Sequence, residues 1–112
     1  MEKEQFIDLL GRKCAIEVII GVKANPGCSK NDIIQREKAS SRTRTVRIEE
    51  LIACGIIDPD DKARQHGTIK LYLSPAGQEI ASHLERTIEL ADSLPPLPEE
   101  GEIIIKTKKK NT

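Results

Sequence analysis

The sequence predicts a mainly α fold that carries a small antiparallel β-hairpin. Three observations support this. Apolar residues recur at helical spacing over residues 2–24, 29–37, 41–54 and 75–93. Residues 68–73 alternate with a period of two instead. Turn and cap chemistry falls between these stretches, at Asn25-Pro26-Gly27, Gly55, Gly67 and Ser74-Pro75.

In the first stretch Phe6, Leu9, Leu10, Cys14, Val18 and Val22 recur near helical spacing, and Ile7, Ile16, Ile19 and Ile20 widen the stripe. This predicts a helix buried over much of its circumference. Gly11 divides a short lead-in from a main helix starting near Arg12. Ser29 is placed to cap a second, short helix with Asp32 in its first turn and Ile33 and Ile34 on its buried side, ending near Glu37. Lys38 and Ala39 make the turn, and Ser40 or Ser41 caps the next helix. There Ile48, Leu51 and Ile52 share a face, and Gly55 stops the helix.

Ile56 and Ile57 open a strand, and Pro59-Asp60-Asp61 begins a loop that closes at Gly67. In the return strand Ile69, Leu71 and Leu73 face one way and Lys70 and Tyr72 the other. Ser74 and Pro75 then suit the cap and first position of a last helix. Its stripe of Ile80, Leu84, Ile88, Ala91 and Leu94 runs to about Ser93, where Pro95-Pro96-Leu97-Pro98 forbids further helix. Residues 1–94 are therefore expected to form one domain, and 95–112 a Pro-containing, Lys-rich, mobile tail in which Ile103-Ile104-Ile105 could pair as an edge strand.

Composition narrows the function. With no Trp, one Phe and one Tyr, the core must be aliphatic. Modules that stack single-stranded or RNA bases on aromatic rings are disfavoured for the same reason. Formal net charge is zero, but unevenly spread. Residues 30–47 carry six basic side chains against Asp32 and Glu37, whereas residues 78–102 carry seven acidic ones against Arg86. Such a dipole can offer a basic face to DNA while the acidic end limits indiscriminate binding; two solvated surfaces are the bland alternative.

Cys14, Cys28 and Cys54 are odd in number and form no C-x-x-C pair, so neither a disulfide framework nor a zinc site is expected. Cys14 and Cys54 are read as small core residues, with redox sensing at Cys28 as the alternative role. His83 has no neighbour at metal-ligand spacing. No catalytic pairing of His with carboxylate and no Gly-rich phosphate loop is present, so neither an enzyme nor a bound metal or cofactor is expected. No signal peptide or membrane span is recognised, and a cytoplasmic protein is expected.

The informative segment is Ser40-Ser41-Arg42-Thr43-Arg44-Thr45-Val46-Arg47, followed by Ile48, Leu51 and Ile52. One end of this helix offers hydroxyls and arginines, suited to phosphates and base edges, and the other end suits a protein core. Helix, helix, helix, strand, loop, strand, helix is the order of a winged helix-turn-helix with an added C-terminal helix.

The chain resembles the winged-helix transcription regulators of the MarR-like and HxlR-like branches. Leu9-Leu10-Gly11-Arg12-Lys13 resembles the start of the first main helix in HxlR-like proteins. Ile48, Leu51 and Gly55-Ile56-Ile57 match the end of a recognition helix and its exit into the wing. Tyr72-Leu73-Ser74-Pro75-Ala76-Gly77 resembles the junction between strand and helix. The chain departs from the HxlR-like pattern in having Cys14 where a Trp is usual, a wing poor in proline, and no glycine before the recognition helix.

The expected function is a sequence-specific double-stranded DNA-binding transcription regulator. Its recognition helix is placed at about 41–54 and its wing at about 58–68. Ser41, Arg42, Thr43, Arg44, Thr45 and Arg47 are assigned to the major-groove face. Lys62, Arg64 and His66 are assigned to the DNA backbone or minor groove, and Lys30 and Arg36 to phosphates. The resemblance also implies a homodimer seamed by Ile80, Leu84, Ile88, Ala91 and Leu94, with two recognition helices one DNA turn apart. A winged-helix module that binds protein instead of DNA is the alternative.

Overall fold

Aliphatic periodicity becomes helix where expected, but the breaks between helices differ in place. The computed structural model describes residues 1–35, 41–60 and 68–99. Helices α1 (Lys3–Gly11) and α2 (Ala15–Ala24) are separated by a turn in which Cys14 adopts the left-handed conformation at φ 71°. The Ala15 N–H closes this turn on the Arg12 carbonyl at 3.1 Å. The main helix therefore starts three residues beyond Arg12, and both Leu9 and Cys14 reach the core. Ala15, Val18, Ile19 and Val22 bury α2, which packs against every other helix and the second strand.

Helix α3 (Lys30–Ile34) begins with a capping box: the Asp32 N–H donates to Ser29 Oγ at 3.1 Å, and the Ser29 N–H to Asp32 Oδ2 at 2.9 Å. It ends at Ile34 rather than near Glu37, and its Ile33 carbonyl is taken by the guanidinium of Arg44. The expected turn at Lys38-Ala39 and a cap at Ser40 lie outside the described residues. Helix α4 (Ser41–Ala53) starts with Ser41 already helical. Gly55, at φ 82°, closes it: the Gly55 N–H bonds the Ile52 carbonyl and the Ile56 N–H reaches back to Leu51, a Schellman-type end.

Strands β1 (Ile57–Asp60) and β2 (Lys70–Leu73) pair antiparallel, with Ile57 opposite Leu73 and Pro59 opposite Leu71. Pro59 and Asp60, expected to begin the loop, belong to the strand; a two-stranded sheet has only edge strands, where proline costs no ladder bond on its free side. The alternation of β2 is as expected, with Leu71 and Leu73 buried and Lys70 and Tyr72 exposed. Cys28 adds an isolated bridge to Leu71, fastening the α2–α3 turn to the hairpin. Cys28 is buried there, which removes the exposed thiol that redox sensing needs.

Helix α5 (Pro75–Glu89) continues as a 3₁₀ turn over Leu90–Ser93. Ser74 locks its start: its Oγ accepts from the Gly77 N–H at 3.0 Å and donates to the Gly55 carbonyl at 2.5 Å. A Cβ on Gly77 would lie 2.2 Å from the Ile56 carbonyl oxygen, so only glycine allows this approach. The end of α4 and the start of α5 thus form one rigid joint. No helix of the described residues is long and apolar enough to cross a membrane.

Candidate nucleic-acid interface

Helix α4 has one face in the core and one in solvent. Arg44, Ile48 and Leu51 are buried, whereas Ser41, Arg42, Val46, Glu49 and Ala53 are exposed. At about 100° per residue, Arg42, Val46, Glu49 and Ala53 fall within about 60° of arc, opposite Leu51. This outward face is what α4 can offer to a ligand. Helix α3 packs against α4, and Lys30 at the start of α3 approaches Glu49, with Nζ 4.0 Å from the carboxylate.

Two of the predicted contact residues turn inward. Arg44, expected on the major-groove face, is 2% exposed, and its Nη1 donates to the Ile33 carbonyl at 2.8 Å. It holds α3 to α4, because its place in the helix is four residues before Ile48 and seven before Leu51. Arg47 is also engaged within the protein. Its Nε donates to the Lys13 carbonyl at 2.8 Å and its Nη1 bonds Glu50. Glu50 in turn accepts from Arg12, which bonds Asp8 at 2.8 Å. The hydrogen bond to Asp8, then the pull of the Glu50 and Asp8 charges, holds the Arg12 guanidinium above its ordinary pKa. This chain of charges fixes α4 to the α1–α2 turn.

The other assignments divide. Ser41 and Arg42 are exposed on the first turn of α4, and Lys30 is half-buried near Glu49, two turns further along. Thr43 and Thr45 are half-buried, and the Thr45 hydroxyl donates to the Ser41 carbonyl at 2.8 Å. Arg36, Lys62, Arg64 and His66 lie outside the described residues. The sequence reading missed Val46, 42% exposed, and Glu49, whose side chain is 62% exposed. Both were detectable once Ile48 and Leu51 had fixed the buried side of the helix.

The stripe on the last helix also divides. Ile80 and Leu84 pack partly against the domain's own core, joining the buried Ala81, so they are not a free seam. Ile88 and Leu94 are 49% and 66% exposed, Ala91 is exposed, and Ile7 on α1 is exposed as well. His83 is exposed, and among the described residues no cluster of His, Cys, Asp or Glu could hold a metal ion.

No family model matches the chain, and no curated protein matches it. Solved structures do share its fold. The transcriptional regulator SlyA superposes with a TM-score of 0.69 at 18% identity, covering 95% of this chain and 80% of its own. FabT of Streptococcus pneumoniae, solved in complex with DNA, gives 0.62 at 15% identity, covering 94% and 79%. A possible HxlR family transcriptional factor from Thermoplasma volcanium gives 0.61 at 23% identity, covering 84% and 88%. At these identities the likeness establishes a winged-helix fold.

Proposed function

We propose that this chain is a transcription regulator that binds double-stranded DNA as a homodimer, laying α4 in the major groove and the β1–β2 hairpin beside it. The observation that carries this reading is the outward face of α4. It is exposed, runs from Arg42 through Val46 to Glu49, and is held rigid by bonds from its inner side to α3 and to the α1–α2 turn. A helix supported in this way can enter a groove without unfolding its own core. The fold shared with FabT, solved on DNA, supports the same reading.

Residues 1–94 would be the DNA-binding unit and 95–112 an appendage. Ile88, Ala91 and Leu94, together with Ile7, would meet a second copy, because aliphatics this exposed gain most by being covered. Lys30 would contact phosphate, as would Arg36; Lys62, Arg64 and His66 would serve the wing. A protein-binding module is the second reading, favoured by the neutral balance of Arg42 and Glu49 around the apolar Val46.

The test is fluorescence anisotropy of a random-sequence duplex at low and at physiological salt. The expected result is binding whose log affinity falls with log salt by about 0.9 per neutralised phosphate, weakened by Arg42→Glu. No binding at low salt would overturn the DNA reading in favour of the protein-binding one.

A further inference from the structure

The composition of the outward face of α4 is unusual for a helix that would meet a polyanion. Of its exposed side chains, only Arg42 is basic; Val46 is apolar and Glu49 is acidic. A carboxylate turned towards DNA is repelled by phosphates. It is tolerated only where it accepts a hydrogen bond from a base amino group, and in the major groove cytosine N4 offers one. An exposed valine likewise gains from a surface with an apolar group, which in that groove is the thymine C5 methyl. Lys30, 4.0 Å from the Glu49 carboxylate, neutralises part of its charge towards the flanking phosphates without covering it.

We propose that Val46 and Glu49 are specificity-determining residues, Val46 selecting a thymine methyl and Glu49 a cytosine amino group. Arg42 supplies the cationic anchor at the N-terminal end. The inference rests on the DNA-binding reading above and names what that site selects. From Arg42 to Glu49 the helix advances about 10 Å at ~1.5 Å per residue, which spans about three base pairs. The half-site core is therefore short, with the thymine and the cytosine within a base pair or two of each other. Glu49 also explains how a neutral face discriminates: on the wrong base its carboxylate is desolvated without a base donor, so a mismatch is penalised.

The experiment is selection from a random duplex library with the full chain, comparing wild type, Glu49→Gln and Val46→Ala. Anisotropy on the selected site follows. Both positions are exposed, and circular dichroism confirms that the variants fold. Wild type is expected to select a cytosine that Glu49→Gln replaces by adenine, since an amide pairs adenine N6 and N7. On the wild-type site Glu49→Gln loses at least about fivefold in discrimination at that position. Replacing the selected thymine by uracil removes one methyl and weakens wild type about fourfold, and weakens Val46→Ala by less, since its shorter side chain covers less of that methyl.

If both variants select the wild-type site with undiminished discrimination, the inference fails and the DNA-binding reading stands. If Glu49→Gln binds all sequences more tightly with no positional change, Glu49 is only a repulsive charge and the inference again fails. If wild type binds no duplex at any salt, the DNA-binding reading fails and takes this inference with it.

Discussion

Replacing Arg44 with alanine separates two roles that the sequence alone confuses. If Arg44 read bases, the substitution would cost DNA affinity and leave stability alone. In the structure its Nη1 bonds the Ile33 carbonyl at 2.8 Å and the residue is 2% exposed. A hydrogen bond from a charged donor contributes about 1.5–3 kcal/mol. The two buried methylenes that alanine lacks add about 1.6 kcal/mol at ~0.8 kcal/mol each. Relief of the guanidinium's own burial offsets part of this sum. The net loss is about 3 kcal/mol, a large share of the ~5–15 kcal/mol that a domain possesses. For a domain of this size that lowers Tm by about 10–20 °C. Thermal unfolding followed by circular dichroism measures it, and anisotropy well below the variant's Tm measures DNA binding. Arg44→Met keeps the apolar bulk and is expected to recover about half of the loss. A Tm within about 2 °C of wild type, coupled to a loss of DNA affinity, would refute the positioning role.

Three further outcomes follow from the geometry. Gly77→Ala drives a Cβ into the Ile56 carbonyl and should cost about 2–3 kcal/mol in urea denaturation; an unchanged midpoint would show that the α5 joint yields. Arg47→Ala removes the bonds to the Lys13 carbonyl and Glu50, so it should lose about 1–2 kcal/mol of stability. Its salt dependence of DNA binding should shift by less than the ~0.9 that one phosphate contributes, and a full-unit shift would mean that Arg47 leaves Glu50 to meet DNA. Ile88→Asp with Leu94→Asp places charges on the exposed stripe and should convert the proposed dimer to monomer in sedimentation equilibrium, with helicity retained. A dimer that persists would place the seam elsewhere.

The sequence and the structure agree most where local chemistry is decisive. Ser29 and Ser74 cap their helices because a hydroxyl beside free N–H groups needs no distant partner. Gly55 ends α4 because its backbone takes a positive φ that other residues resist. The alternation in β2 becomes two faces directly, because side chains of a strand must alternate. Disagreement arises where a distant group intervenes. Helix α3 stops short with a carbonyl bound by Arg44, eleven residues on; the later start of α2 is instead local, set by the left-handed turn at Cys14.

The same division runs through the candidate site. The order of elements, the aliphatic core and the identity of α4 as the helix to examine were all determined by spacing, caps and turns. Arginine type said nothing about arginine role. Arg42, Arg44 and Arg47 are three cations within six positions of one helix, and their fates differ because the helix has a buried side. Only tertiary packing placed the Ile33 carbonyl near Arg44 and the Lys13 carbonyl near Arg47, leaving Arg42 with Val46 and Glu49 facing outward. Local free energies are short-ranged and legible in order along the chain. The partners that decide whether a charge is structural or available come from segments 11 and 34 residues away, and only the folded chain brings them together.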